Sequence, residues 1–166
     1  MSLSSLLSHP KVAPAAVALL SAGALAAALI AEHVFGLLPC VLCHYQRYAY
    51  VAALLAGTVG LFAAPRAMVT LGGLAFLAGL AIAVFHVGVE QAWWEGTAGC
   101  HGPAFDPTAS IDEMREALLN TEFVPCDKVA WSLFGVSMAG YNALFSLIFA
   151  LAAFAAAAKM KKLEAA

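Results

Sequence analysis

Four apolar stretches, each close to the roughly 20 residues that a bilayer core asks of a helix, dominate this chain of 166 residues. They cover about residues 12–31, 45–64, 67–89 and 131–158. The first is free of charge, the second is short unless taken back to Tyr45, the third is interrupted only by His86, and the fourth is longer than one span needs. Hydrophobic residues make up 63% of the sequence and charged ones 11%, and a soluble domain of this size has too little interior to hide that much apolar surface. Glycines at 72, 73, 79, 135 and 140, with many alanines, suit close helix approach in lipid. The expected fold is therefore an all-α membrane protein: a four-transmembrane-helix bundle, one domain over 1–166, with a short and a long periplasmic loop. The first stretch exceeds a signal-peptide core and has only Lys11 as its basic start, so it reads as an uncleaved helix.

Lys11, Arg66, Lys159, Lys161 and Lys162 flank the N-terminus, the Ala64-Pro65-Arg66 turn and the C-terminus, which four spans would place on one face. Arg47, Arg115 and Lys128 fall on the other. The bias assigns the first face to the cytoplasm. The connections at about 32–44 and 91–130 then face outward, and Trp93, Trp94 and Trp131 bracket the longer one as interfacial anchors. Without a basic stripe, nucleic acid is excluded as a partner.

All four cysteines, at 40, 43, 100 and 126, lie in or beside the outward connections. An even number confined to an oxidising compartment points to disulfide chemistry. In Leu38-Pro39-Cys40-Val41-Leu42-Cys43-His44-Tyr45-Gln46-Arg47, Pro39 suits a helix start and puts Cys40 at or near the cap, where free N–H groups favour a thiolate. Cys40, Cys43 and Arg47 share a helix face. Arg47 opposes the helix dipole, so it calls for a thiolate, a quinone carbonyl or a lipid phosphate as partner, with snorkelling to headgroups as the plain alternative. Zinc would want four ligands, which Cys100 and Cys126 could complete, but no metal is expected at an export-side bilayer edge. A purely structural bond across four residues closes too short a loop to stabilise much.

Cys100 lies in a Gly- and Pro-rich segment and reads as exposed and mobile, as exchange with another protein requires. Cys126 follows Pro125. A bond between these two, taken alone, would be a staple. Ser110 and Glu113 form a capping box for an amphipathic helix over about 111–119, lying on the membrane or on a partner. His86 and Glu90 share a face near the outer end of the third stretch; each is a functional candidate or a plain hydrogen-bonded residue.

With Cys40-Val41-Leu42-Cys43 followed by His44-Tyr45-Gln46-Arg47, two further cysteines in the second outer loop, and Trp131, Phe134-Gly135 and Ser137-Met138 opening the last stretch, nearly the whole chain resembles the bacterial disulfide bond formation protein B (DsbB) family. The resemblance implies an inner-membrane protein-disulfide:quinone oxidoreductase with disulfides Cys40–Cys43 and Cys100–Cys126 as its catalytic groups. It implies a periplasmic thioredoxin-like (DsbA-like) oxidase as partner, beside membrane lipid. Cys100 would take the mixed disulfide, and Cys43 with Arg47 would face ubiquinone or menaquinone. A vitamin K epoxide reductase-like enzyme is a rival, though its C-x-x-C is expected near a later helix. A scaffold or channel held by inert disulfides is another, and the spans lack a polar row for a channel.

Overall fold

A computed structural model describes residues 10–100, 110–112, 115 and 123–164, the side chains of 163 and 164 excepted. Its long elements are α1 (Val12–His33), α2 (Val41–Gly60), α3 (Pro65–Glu90) and α4 (Met138–Glu164). Alanine and leucine, which lose little rotamer freedom in a helix, fill α1 and α4. Each helix starts or stops for a local reason. Pro39 precedes α2, whose cap is Cys40. At the α2–α3 turn Ala64 takes a left-handed conformation (φ 45°) and Pro65 opens α3, where its missing N–H costs nothing. Ser137 caps α4 by accepting from Gly140 N at 3.1 Å.

Three helices, Val12–His33, Pro65–Glu90 and Met138–Lys162, are long and apolar enough to cross a membrane. The fourth, α2, is 20 residues long, but its first two turns carry His44, Gln46 and Arg47. Outward-facing Leu19, Leu55, Phe62 and Leu151 are each more than 60% exposed, which suits a lipid solvent and not water. The chain is a multi-pass, all-helical membrane protein.

Helices α1, α2, α3 and α4 pack in sequence, each on the next, with α3–α4 the most extensive pair; α1 and α4 touch sparingly. Gly57 shows why small residues are needed: a Cβ there would stand 2.6 Å from Ala18 N and 2.9 Å from Pro14 O, so α1 and α2 meet backbone to backbone. Ala13, Val17, Ala53, Val69, Phe76, Ala150, Ala153 and Met160 form the buried core of this half.

Two details differ from the expectation. The last helix begins at Met138, not near 131, because Ser132–Leu133 and Val136–Ser137 pair as a short antiparallel hairpin (β1, β2). Gly135 is no helix-packing glycine: Phe134 (φ 50°) and Gly135 (φ 77°) form the hairpin's two-residue turn, whose twist needs positive φ at both positions. Most of the expected 111–119 helix lies outside the described residues, though Ile111, Asp112 and Arg115 are helical.

Candidate active site

The second core lies at the opposite end and is built around sulfur. Cys40, Leu42, Val89, Cys100 and Cys126 are buried together, with Val41, Cys43, Phe85 and Val124 packed against them. All four cysteines expected to carry chemistry are thus in one cluster. Cys100 and Cys126 form a disulfide with Cα atoms 5.2 Å apart. Cys40 and Cys43 are unbonded thiols with sulfurs 3.1 Å apart, so the bond anticipated for this pair is open here.

Cys40 caps α2 as expected: its sulfur accepts from Cys43 N at 3.4 Å. Lying just ahead of the helix, its thiol is held well below the usual range. The Cys43 thiol hydrogen bond contributes most, followed by His86, and together they overcome the penalty of burial.

Cys100 is not exposed. It sits in a 3-10 turn, Ala98–Cys100, at 5% exposure, and Cys126 is fully buried. The flanking glycines serve close packing, not looseness. A Cβ on Gly96 would come 2.7 Å from Cys100 Cβ, and one on Gly99 would press on Val41 at 3.3 Å.

Arg47 points along the same face as Cys43, but its charge is met by Glu32 at the end of α1, a partner absent from the expected set. Its second nitrogen donates to Ala28 O at 3.3 Å. The ion pair accounts for a cation at a helix N-terminus, and both side chains remain about one-fifth exposed.

His86 supplies what the sequence left undecided. From α3 its Nε2 approaches Cys40 Sγ at 3.6 Å, and Nδ1 lies 3.0 Å from the Gln46 side-chain amide. One histidine of α3 thus bridges the cap of α2 and the polar groups deeper in the bundle. The chain of polar groups continues inward. Asn142 donates to Gln46, Tyr50 Oη donates to Asn142 Oδ1 at 2.7 Å, and Ser146 lies 3.0 Å from Tyr50 Oη. Among the described residues no buried side-chain polar atom lacks a partner. Glu90, the other candidate of α3, accepts from Ser137 and so ties α3 to the cap of α4.

A partly open cavity of about 500 Å³ runs between α1 and α4, which touch only sparingly. Cys40, Cys43, Gln46, Arg47 and His86 line its polar part, while Ala24, Ala27, Phe145 and Phe149 are among its apolar walls. An apolar slot with a few convergent polar groups is the usual form of a small-molecule site.

Fold and site together define a membrane-embedded thiol–disulfide protein, with a dithiol beside an apolar cavity and a disulfide packed behind it. The sequence matches the family described as "Disulfide bond formation protein DsbB" over residues 10–156. It is 34% identical over 152 residues to disulfide bond formation protein B of Marinobacter nauticus, covering 83% of this chain and 86% of that one. The proteins of the same name from Actinobacillus pleuropneumoniae and Psychromonas ingrahamii are 31% and 30% identical, covering 76% and 87% of this chain and 73% and 84% of theirs. No solved structure matches. The chain belongs to the DsbB family of disulfide bond formation proteins, and disulfide oxidoreductase activity follows from that membership.

Proposed function

We propose that this chain is a quinone-dependent thiol oxidoreductase of the bacterial inner membrane. It spans the bilayer four times with both termini cytoplasmic and re-oxidises a periplasmic DsbA-like dithiol oxidase. The observation that carries the reading is the placement of Cys43, Arg47 and His86 on the wall of an apolar cavity between helices. The cavity's size and lining fit a ring with a long apolar tail. Arg47, His86 and Gln46 would hold the polar ring, and the aromatic and alanine walls would hold the tail. A ubiquinone or menaquinone there supplies a sink for two electrons and two protons.

The chain's own residues do the rest. A reduced partner attacks Cys100 of the loop disulfide, giving a mixed disulfide and freeing Cys126. Since Cys100 is buried within the sulfur cluster, its turn must lift for the attacking sulfur to reach it in line. The partner's second thiol then closes the partner's disulfide and leaves Cys100 and Cys126 as thiols. Their electron pair passes to a Cys40–Cys43 disulfide, which becomes a dithiol as the loop bond re-forms. Cys40, at the helix cap beside His86, is the better thiolate. Cys43, facing the cavity four residues before Arg47, is placed to deliver the pair to the acceptor.

Two variants test this. Cys43→Ser in an otherwise intact protein should stop quinone reduction by a reduced dithiol protein, and normal turnover would refute the mechanism. Cys126→Ser should accumulate a reductant-sensitive covalent complex through Cys100. Absence of that complex would favour an inert staple.

A further inference from the structure

The sulfur end contains a ligand set that the redox reading does not use. Cys40 Sγ, Cys43 Sγ and one ring nitrogen of His86 all lie within 4.8 Å of one another. Cys100 and Cys126, the cysteines that would complete a four-sulfur site, are bonded to each other and unavailable. The third ligand comes instead from α3, 43 residues beyond the dithiol. We infer that the reduced Cys40–Cys43 pair and His86 form a redox-gated site for a thiophilic divalent d10 ion, Zn²⁺ or Cd²⁺, which when filled withdraws the dithiol from electron transfer.

Geometry, charge and support all favour this. Bonds of about 2.3 Å to sulfur and 2.0 Å to nitrogen in a tetrahedron put two sulfurs about 3.8 Å apart and a sulfur and nitrogen about 3.5 Å apart. The Cys40–His86 separation of 3.6 Å already fits. The two sulfurs, at 3.1 Å, need to part by less than about an ångström. Cys43, the less buried of the two, has room on the cavity side to make that move.

Two thiolates, a divalent ion and a neutral imidazole sum to zero, which a site at the edge of a membrane requires. Arg47 does not repel the ion as a lone cation would, because Glu32 already neutralises it. Ligation through Nε2 puts the ring proton on Nδ1, and Gln46 would accept it through its side-chain oxygen once the Gln46 and Asn142 amides both reverse, Gln46 then donating to Asn142. A zinc-bound histidine almost always has such an outer partner. All three ligands line the cavity, so a water from there would supply the fourth.

Binding moves no electrons: two S–H protons pass to solvent as two sulfur–metal bonds form. In the disulfide form neither sulfur can ligate as a thiolate, so the site exists only in one redox state. The regulatory consequence rests on the thiol–quinone reading above; the binding itself does not.

The test uses full-length protein in detergent with Cys100→Ser and Cys126→Ser, so that Cys40 and Cys43 are its only thiols. Reduced, freed of reductant and titrated with Cd²⁺, it should develop the ultraviolet sulfur-to-cadmium band, saturating at one equivalent. Protein oxidised to the Cys40–Cys43 disulfide should develop none. His86→Gln should weaken binding by more than about 100-fold, the upper figure for losing only an outer partner, and Gln46→Leu by about tenfold.

Should the double variant misfold, Zn²⁺ protection of Cys40 and Cys43 from maleimide, mapped by mass spectrometry in the wild-type chain, gives the same answer. No band or protection in the reduced protein, or equal affinity in the His86→Gln or oxidised protein, overturns the inference. Quinone turnover measured with chelator present separates the two claims. Turnover without metal binding sinks this inference alone, and metal binding without turnover sinks the functional reading alone.

Discussion

Where α1 begins and α4 finishes, the bundle is held by Ala13, Ala53, Ala150 and Ala153 around Val17, Val69 and Phe76, with glycines where helices touch. At the other end the same four helices enclose four cysteines, a histidine and a run of amide and hydroxyl groups, and α1 parts from α4 to leave a cavity. The first region gains its stability from close approach, which in lipid has to come from packing and not from exclusion of water. The second spends the space so gained on groups that are costly to bury unless each is paired. Each is paired. The difference teaches that the inert end anchors the helices so that the reactive end can stay open.

The comparison is easiest to break at Gly57. Gly57→Leu would force its side chain into the backbone of α1 and should cost about 3 kcal/mol or more. A lower thermal midpoint in detergent, with loss of activity only in proportion to unfolded protein, is the expected outcome. An unchanged midpoint would mean that the inert end is not the anchor.

His86→Ala should do the opposite, leaving the fold and slowing thiol oxidation by about 30-fold, equivalent to roughly 2 kcal/mol. Stopped-flow measurement of quinone reduction checks it. A protein that unfolds without loss of specific activity would make His86 a mere core residue.

The reactive end alone should respond to pH near neutrality. Cys40 has a lowered pKa, so its thiolate persists below the ordinary thiol range and is lost only as pH falls through the lowered value. Thiolate absorbance of the reduced protein should therefore survive at about pH 7, below the usual thiol value of about 8.5. It should shift toward higher pH in His86→Ala. Titration at the ordinary thiol pH would remove the role given to the cap and the histidine.

The smallest effect is expected from Glu32→Gln, which leaves Arg47 without its counter-charge but keeps a hydrogen-bond acceptor. A rise in quinone KM of about threefold with kcat little changed would mark a positioning role. No change in either would confine the ion pair to structure.

How much of this was legible follows from the range of the interactions. Long apolar runs announce themselves, and the helix cap at Cys40 follows from Pro39 and the spacing to Cys43, because caps are local. The hairpin ahead of α4 is hard to read because Trp131 to Ser137 carries no charge and runs straight into the apolar helix; Phe134-Gly135 is the available signal. The burial of Cys100 has no sequence signal, because glycine marks loose loops and tight packing alike.

The pairing of Arg47 with Glu32 joins α1 and α2 across the loop between them, and Gln46 meets Asn142 from 96 residues away. Neither has a sequence signature, since a lone glutamine or asparagine in an apolar helix says only that some partner must exist. His86 did stand out, as the one ionisable residue interrupting its stretch, but nothing in the sequence set it against Cys40.

In the proposed mechanism the Cys40–Cys43 dithiol gives its electrons directly to a quinone. A single-turnover experiment tests it. Reduced protein carrying Cys100→Ser and Cys126→Ser, mixed without oxygen or metal with a short-chain ubiquinone analogue, should reduce one quinone per chain and lose two hydrogens as the Cys40–Cys43 bond closes. Quinone left oxidised, with both thiols still open to alkylation, would contradict the account.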